Sequence, residues 1–190
     1  MSSIRRCLDT VVEPVLSIVN RRPIYSPVVS MNLYLAAMAR DAAEAFDLGD
    51  DEDDDEGFEA AMSVFERDGG LEIEKAWCAV DAIVRSDLAD TEPFWIGEPI
   101  SEDLGYGPAM HASAESVRGV AAALSGLTDH EARRRLDAAL DAGAVDYPMI
   151  WDRADEAETN RQWAVDAALK VVALYERAAV NGLGVLAVML

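Results

Sequence analysis

Two histidines, His111 and His130, and two cysteines, Cys7 and Cys78, are the chain's whole supply of imidazole and thiol groups. No two of them stand at the short spacing of a zinc site. Cys78 falls in a helical pattern, where a free thiol packs as a small apolar residue. No G-x-S-x-G elbow offers another nucleophile. The acidic run "GDDEDDDEG" (49–57) has the composition of a calcium loop. With Gly57 at the sixth position of an EF-hand, Glu52, Asp54 and Glu56 take positions one, three and five. The twelfth position is then Ser63, where a bidentate glutamate belongs. Phosphate cradles fail as well. "GYGP" (105–108) has no lysine, and its proline removes an amide. "NGLGV" (181–185) leads from helix into strand, the reverse of a dinucleotide turn. Asp137 and Asp141 stand one helical turn apart, but so acidic a chain makes such pairs by chance. No catalytic residue, metal ligand set or cofactor is expected.

The candidates that remain lie in irregular segments. Trp95, Tyr106, Tyr147 and Trp151 fall outside the helical patterns, and His111 follows "GYGP" closely. Loop aromatics either line a cleft or interface, or close the ends of a small core. Tyr106, His111, Tyr147 and Trp151 are therefore the residues expected to meet a ligand or partner.

These side chains must be held by elements that hydropathy patterning outlines. In "VVSMNLYLAAM" (28–38), Met31, Leu33 and Leu35 alternate with Asn32 and Tyr34, which predicts a strand. Helices are predicted over 40–46, 58–68 and 72–85. In the last, Ile73, Ala76, Trp77, Val80, Ile83 and Val84 recur at helical spacing. Residues 86–108 read as irregular, with a short strand in "PFWIG" (93–97). "GYGP" reads as a turn handing the chain to a helix over 114–124 capped by Ser113. Thr128 and Glu131 have capping-box spacing and open the next helix, which Gly143 closes. "VDYPMIW" (145–151) reads as extended. A long helix spans about 155–180 and stops at Asn181-Gly182. "GVLAVML" (184–190) is a continuous apolar run, as in a strand buried on both faces at the centre of a sheet. The expected fold class is α/β: a small mixed sheet surrounded by several helices in a single domain.

The charge balance narrows the function classes. There are 36 acids against 16 Lys and Arg, a formal net charge of −20. Nine of the acids lie between Asp47 and Glu59, and the other 27 still outnumber the bases. Nucleic acid and anionic membrane surfaces need a basic footprint, so neither is expected as a partner. A basic protein partner fits, because the field would speed its approach. Two cysteines are too few for a disulfide framework and suit a reducing cytoplasm. "SIRRCLD" (3–9) resembles a twin-arginine signal, but Asp9, Glu13 and Pro14 follow it where an apolar stretch belongs. The nine-residue apolar end is too short to span a bilayer.

The order "LEIEKAWCAVDAIV", "GEPISEDLGYGPAMHASAESV", "YPMIW", long helix, "NGLGVLAVML" resembles the YfbM-like bacterial domain family of unknown function, over about residues 31–190. The resemblance implies an α/β domain with helices around a sheet and no established activity. It makes residues 1–30 an N-terminal extension, residues 31–190 the domain, and 47–57 an acidic loop within it. The family often shows Trp-His-x-x-His in the helix holding Trp77. Here Cys78 and Asp81 stand at the histidine places, so any chemistry relatives perform with those histidines is expected to be lost. Ser116 likewise replaces a glutamate that would complete a capping box with Ser113. The function expected is non-enzymatic binding or regulation, such as neutralising a toxin, with a basic partner. The alternative is small-molecule binding, or an enzyme, in a cleft near Tyr106 and Trp151.

Overall fold

The computed structural model of the chain describes residues 31–45, 62, 63, 65, 69–86, 88, 94, 95, 97–104, 106–145 and 147–190. The N-terminal extension, the acidic loop and most of the helix expected over 58–68 lie outside them. Among the described residues there are five strands: β1 Leu33–Met38, β2 Leu71–Glu72, β3 Glu98–Asp103, β4 Pro108–Ala112 and β5 Gly184–Met189. The helices are α1 Arg40–Glu44, α2 Trp77–Arg85, α3 Ala114–Leu124, α4 Asp129–Asp141 and α5 Ala157–Asn181, with a 3-10 turn at Glu74–Ala76 leading into α2.

The strands form one sheet in the order β2-β1-β5-β4-β3. β5 lies at its centre and is buried at all six positions, as a continuous apolar run requires. The α/β class is as expected. The sheet is antiparallel at every pairing, where a mixed sheet was expected. Strand direction depends on which neighbours a strand meets, and hydropathy carries no record of that.

Strand alternation divides the side chains between two unequal cores. Leu33, Leu35, Val185, Ala187 and Ala112 face the larger one, which α2, α3, α4 and α5 cover. Ala36, Met38, Leu186, Val188 and Ala109 face a smaller one with Ala43 and Phe65. In the larger core the Tyr175 hydroxyl donates to the Phe94 carbonyl oxygen at 3.0 Å, deep inside. Burial pushes that phenol well above its ordinary pKa.

Helix ends follow the local signals. Ser113 Oγ accepts from Ser116 N at 3.2 Å, and Thr128 Oγ1 from Glu131 N at 3.2 Å. Gly182 caps α5 with φ +65°, a conformation that costs glycine little. Glu131 does not reach back to complete its capping box. Its carboxylate accepts from Arg134 and Arg135 instead, at 2.7–2.8 Å, and these bonds lower its pKa to about 2.

Four segments differ from their expected form. Residues 71 and 72 pair with β1, and Glu74 has φ +44°, so the helix expected from residue 72 starts at Trp77. Within the stretch read as irregular, Glu98–Asp103 is a strand. Its sequence, EPISED, has no apolar alternation because it lies at the sheet edge, exposed at nearly every position. The strand expected in "PFWIG" is a turn at Phe94 and Trp95. "YPMIW" is a series of turns rather than extended chain.

Candidate functional site

The hairpin of β3 and β4 explains the "GYGP" block. The turn joins two strands, and β4 stands between it and α3. Leu104 N donates to Gly107 O at 3.0 Å, and Gly107 N to Asp103 Oδ1 at 3.0 Å. Gly107 has φ +109°, a backbone state that L side chains rarely adopt.

Tyr106, in that turn, packs against the larger core, as do Tyr147 and Trp151. Tyr147 stacks at a tilt on Trp77, with ring centroids 5.4 Å apart. Burial raises the Tyr147 phenol pKa and the nearby Tyr106 adds to the rise, against a hydrogen bond with the Met31 backbone that lowers it. His111 is elsewhere. It lies on β4 two residues from Ala109, so it shares Ala109's face and looks toward the smaller core. Its Nε2 lies 3.4 Å from Met38 O, and its Nδ1 has no hydrogen-bond partner among the described residues. The imidazole fills the space over Gly184, where any Cβ would press on Nε2. The structure thus brings Tyr106 and Tyr147 together on the side where Trp151 packs, and sets His111 across the sheet from them.

A site that the sequence reading missed lies between α2 and α4. It is a cavity of about 320 Å³ lined by Cys78, Asp81, Ala82, Arg85, Ser86, Ala139 and Ala144. Asp81 is 4% exposed although ionisable. Burial raises its pKa, and the Arg85 guanidinium, one turn on and hydrogen-bonded to it, opposes that rise. Its other oxygen, Oδ1, accepts from Phe94 N at 3.2 Å. Phe94 is therefore gripped at its amide by Asp81 and at its carbonyl by Tyr175. Ile83 O accepts from both Ser86 Oγ at 3.1 Å and Arg135 Nη1 at 3.2 Å, so Arg135 ties the two walls of the cavity together. The available signal was one acid among the apolar positions Val80, Ile83 and Val84, with arginine at i+4. Cys78 is disulfide-bonded, where a free thiol was expected. The chain's other cysteine, Cys7, lies outside the described residues.

A second feature is the edge strand β3. Among the described residues its outer side pairs with no other strand. Glu98, Glu102 and Asp103 are exposed along it. Arg40 bridges Glu98 and Glu44, which lowers the Glu98 pKa.

The family described as a domain of unknown function (DUF1877) matches residues 30–188. The chain belongs to this family. The crystal structure of YfbM from Escherichia coli, a protein of unknown function, is similar at a TM-score of 0.45 and 13% identity, over 84% of this chain and 100% of that one. No curated protein matches the chain. Within this DUF1877 domain, Cys78 and Asp81, the places where histidines were expected by resemblance, both line the α2–α4 cavity. No helix among the described residues is long and apolar enough to cross a membrane.

Proposed function

We propose that the protein is a non-enzymatic binding protein that recognises a basic protein partner. Neutralising a basic toxin is one regulatory form of that role. The observation that carries the reading is the edge strand β3, which pairs on its outer side with no other strand among the described residues and carries exposed carboxylates, on a chain of net charge −20. Pairing of this edge with a second acidic copy is opposed by Pro99, by the register shift between Pro99 and Asp103, and by like charge. A partner presenting Lys and Arg side chains meets the opposite situation, with long-range attraction steering its approach.

The test is capture from the source cell's lysate at low and moderate salt, comparing the natural chain with an E98K/E102K/D103K variant. The expected result is a basic protein retained by the natural chain, released by salt and absent from the variant. Partners that bind both chains equally, or no partner at low salt, would overturn the reading.

A further inference from the structure

His111 is 3% exposed, on the face of β4 that looks toward the smaller core. Two glycines shape its place. A Cβ on Gly184 would press on the ring, and a Cβ on Gly97 would press on the His111 carbonyl. The backbone on both sides therefore closes directly on this residue, and the ring is held against β5. With Nε2 facing the Met38 carbonyl oxygen at 3.4 Å, the tautomer that fits carries its proton on Nε2. Nδ1 then keeps a bare lone pair, with no partner among the described residues. A second proton must go to Nδ1. It makes a buried cationic donor with no acceptor in place, which is costly.

Relief for that donor lies on the next strand. Glu98 of β3 pairs directly with His111, so the two side chains share a face, with Cβ atoms about 5 Å apart. The Glu98 carboxylate is engaged elsewhere, with Arg40 at the start of α1, and Arg40 also holds Glu44. That ion pair is exposed and therefore weakly held. Arg40 is the main cause of the lowered Glu98 pKa, and His111 adds to it. Two basic groups thus compete for one carboxylate. Among the described residues, the other groups around the smaller core are few. Tyr34 of β1 packs there with its hydroxyl donating to Glu72 at 3.1 Å. β5, Met62 and Phe65 bring no charge. Arg40 opposes a charge on His111, and Glu98 favours it.

We propose that His111 is an acid-operated latch on α1: when it takes up a proton at Nδ1, it draws the Glu98 carboxylate from Arg40, and α1 loses its polar tie to the sheet edge. The proton comes from solvent, and only hydrogen bonds are exchanged. The latch needs no second protein, so it stands apart from the proposed partner surface.

An NMR titration of the full chain from about pH 8 to about pH 5 spans the range in which imidazoles charge. The ring signals of His111 report its protonation, and the exposed His130 is the internal control. The Glu98 carboxyl carbon and the Arg40 Nε–H signal are expected to move in step with the His111 ring. Glu98→Gln exchanges an exposed carboxylate and leaves the buried packing alone; in it the Arg40 signal should no longer follow the ring. His111→Gln keeps a donor for Met38 O and cannot titrate, so the step at Glu98 should vanish in the folded variant. If that variant does not fold, Glu98→Gln decides. A Glu98 step that survives in folded His111→Gln, or an Arg40 signal that still follows the ring in Glu98→Gln, would overturn the latch. So would a His111 ring that charges with no response at Glu98, or one that stays neutral until the chain unfolds.

Discussion

Gly184 and His111 form a matched pair across β5 and β4. The glycine is required by the neighbour: its missing Cβ is the room that the imidazole occupies. Gly184→Ala should therefore lower stability by about 1–3 kcal/mol through overpacking, read from chemical denaturation. Combining it with His111→Ala should restore part of the loss, and a double-mutant cycle would show the coupling. The restoration is partial because the Ala112 backbone also stands against that position. Tyr175 gives a second residue-level test. Tyr175→Phe leaves the Phe94 carbonyl without its donor and should cost about 1–2 kcal/mol at neutral pH. Its pH behaviour has the opposite sign. The folded phenol has a raised pKa, so its contribution is complete below the ordinary phenol pKa and is lost as pH rises above it. The variant should therefore resist alkaline unfolding better than its neutral-pH loss predicts. A pH titration of stability above the ordinary phenol range checks this.

At the scale of elements, the junction of α2 and α4 concentrates the ionic interactions of the interior. Arg85→Met would leave Asp81 as a buried carboxylate without its cation, a change that typically costs about 3–5 kcal/mol. A large fall in the thermal midpoint is expected, smaller at low pH where Asp81 can take up a proton. Arg135 is the tie between the helices, and its bond to Ile83 O is partly buried. Arg135→Ala should cost about 1–3 kcal/mol by removing a charged donor and the packing of its stem. Glu131 holds that arginine, and its folded pKa is lowered from the ordinary carboxylate value to about 2. The stability it contributes is complete above the ordinary value and disappears as pH falls toward about 2. In Glu131→Gln the acid side of the stability profile should be flatter. The tie from Arg135 to Ile83 O was not visible beforehand, because a helical repeat identifies the apolar face and not which helix will cover it.

For the whole molecule, the dominant quantity is the net charge of −20. Self-repulsion at that charge destabilises the compact state, and salt screens it. Raising sodium chloride from low to moderate concentration should therefore raise the thermal midpoint. A fall would mean that the surface ion pairs around Arg40, Arg133 and Arg161 outweigh the repulsion. The placement of the expected ligand residues is also decided at this scale. Tyr106, Tyr147 and Trp151 pack on one side of the sheet and His111 on the other, because β4 alternates while the turn and the "YPMIW" segment do not. Their irregular setting was legible; the face each would take was not.

Patterning alone determined the α/β class, the buried central strand β5, the starts of α3 and α4 and the stop of α5. Each depends on residues a few positions apart: an unbroken apolar run, a hydroxyl before a helix, a glycine after one. Only the tertiary structure decided the antiparallel sheet, the β3–β4 hairpin behind "GYGP", the separation of His111 from the aromatics, and the cavity before Asp81 and Arg85. Those features depend on which segments meet in space. An exposed edge strand has no alternation to betray it, and a buried acid looks like a surface one until its partner Phe94 and the covering helix α4 are in place.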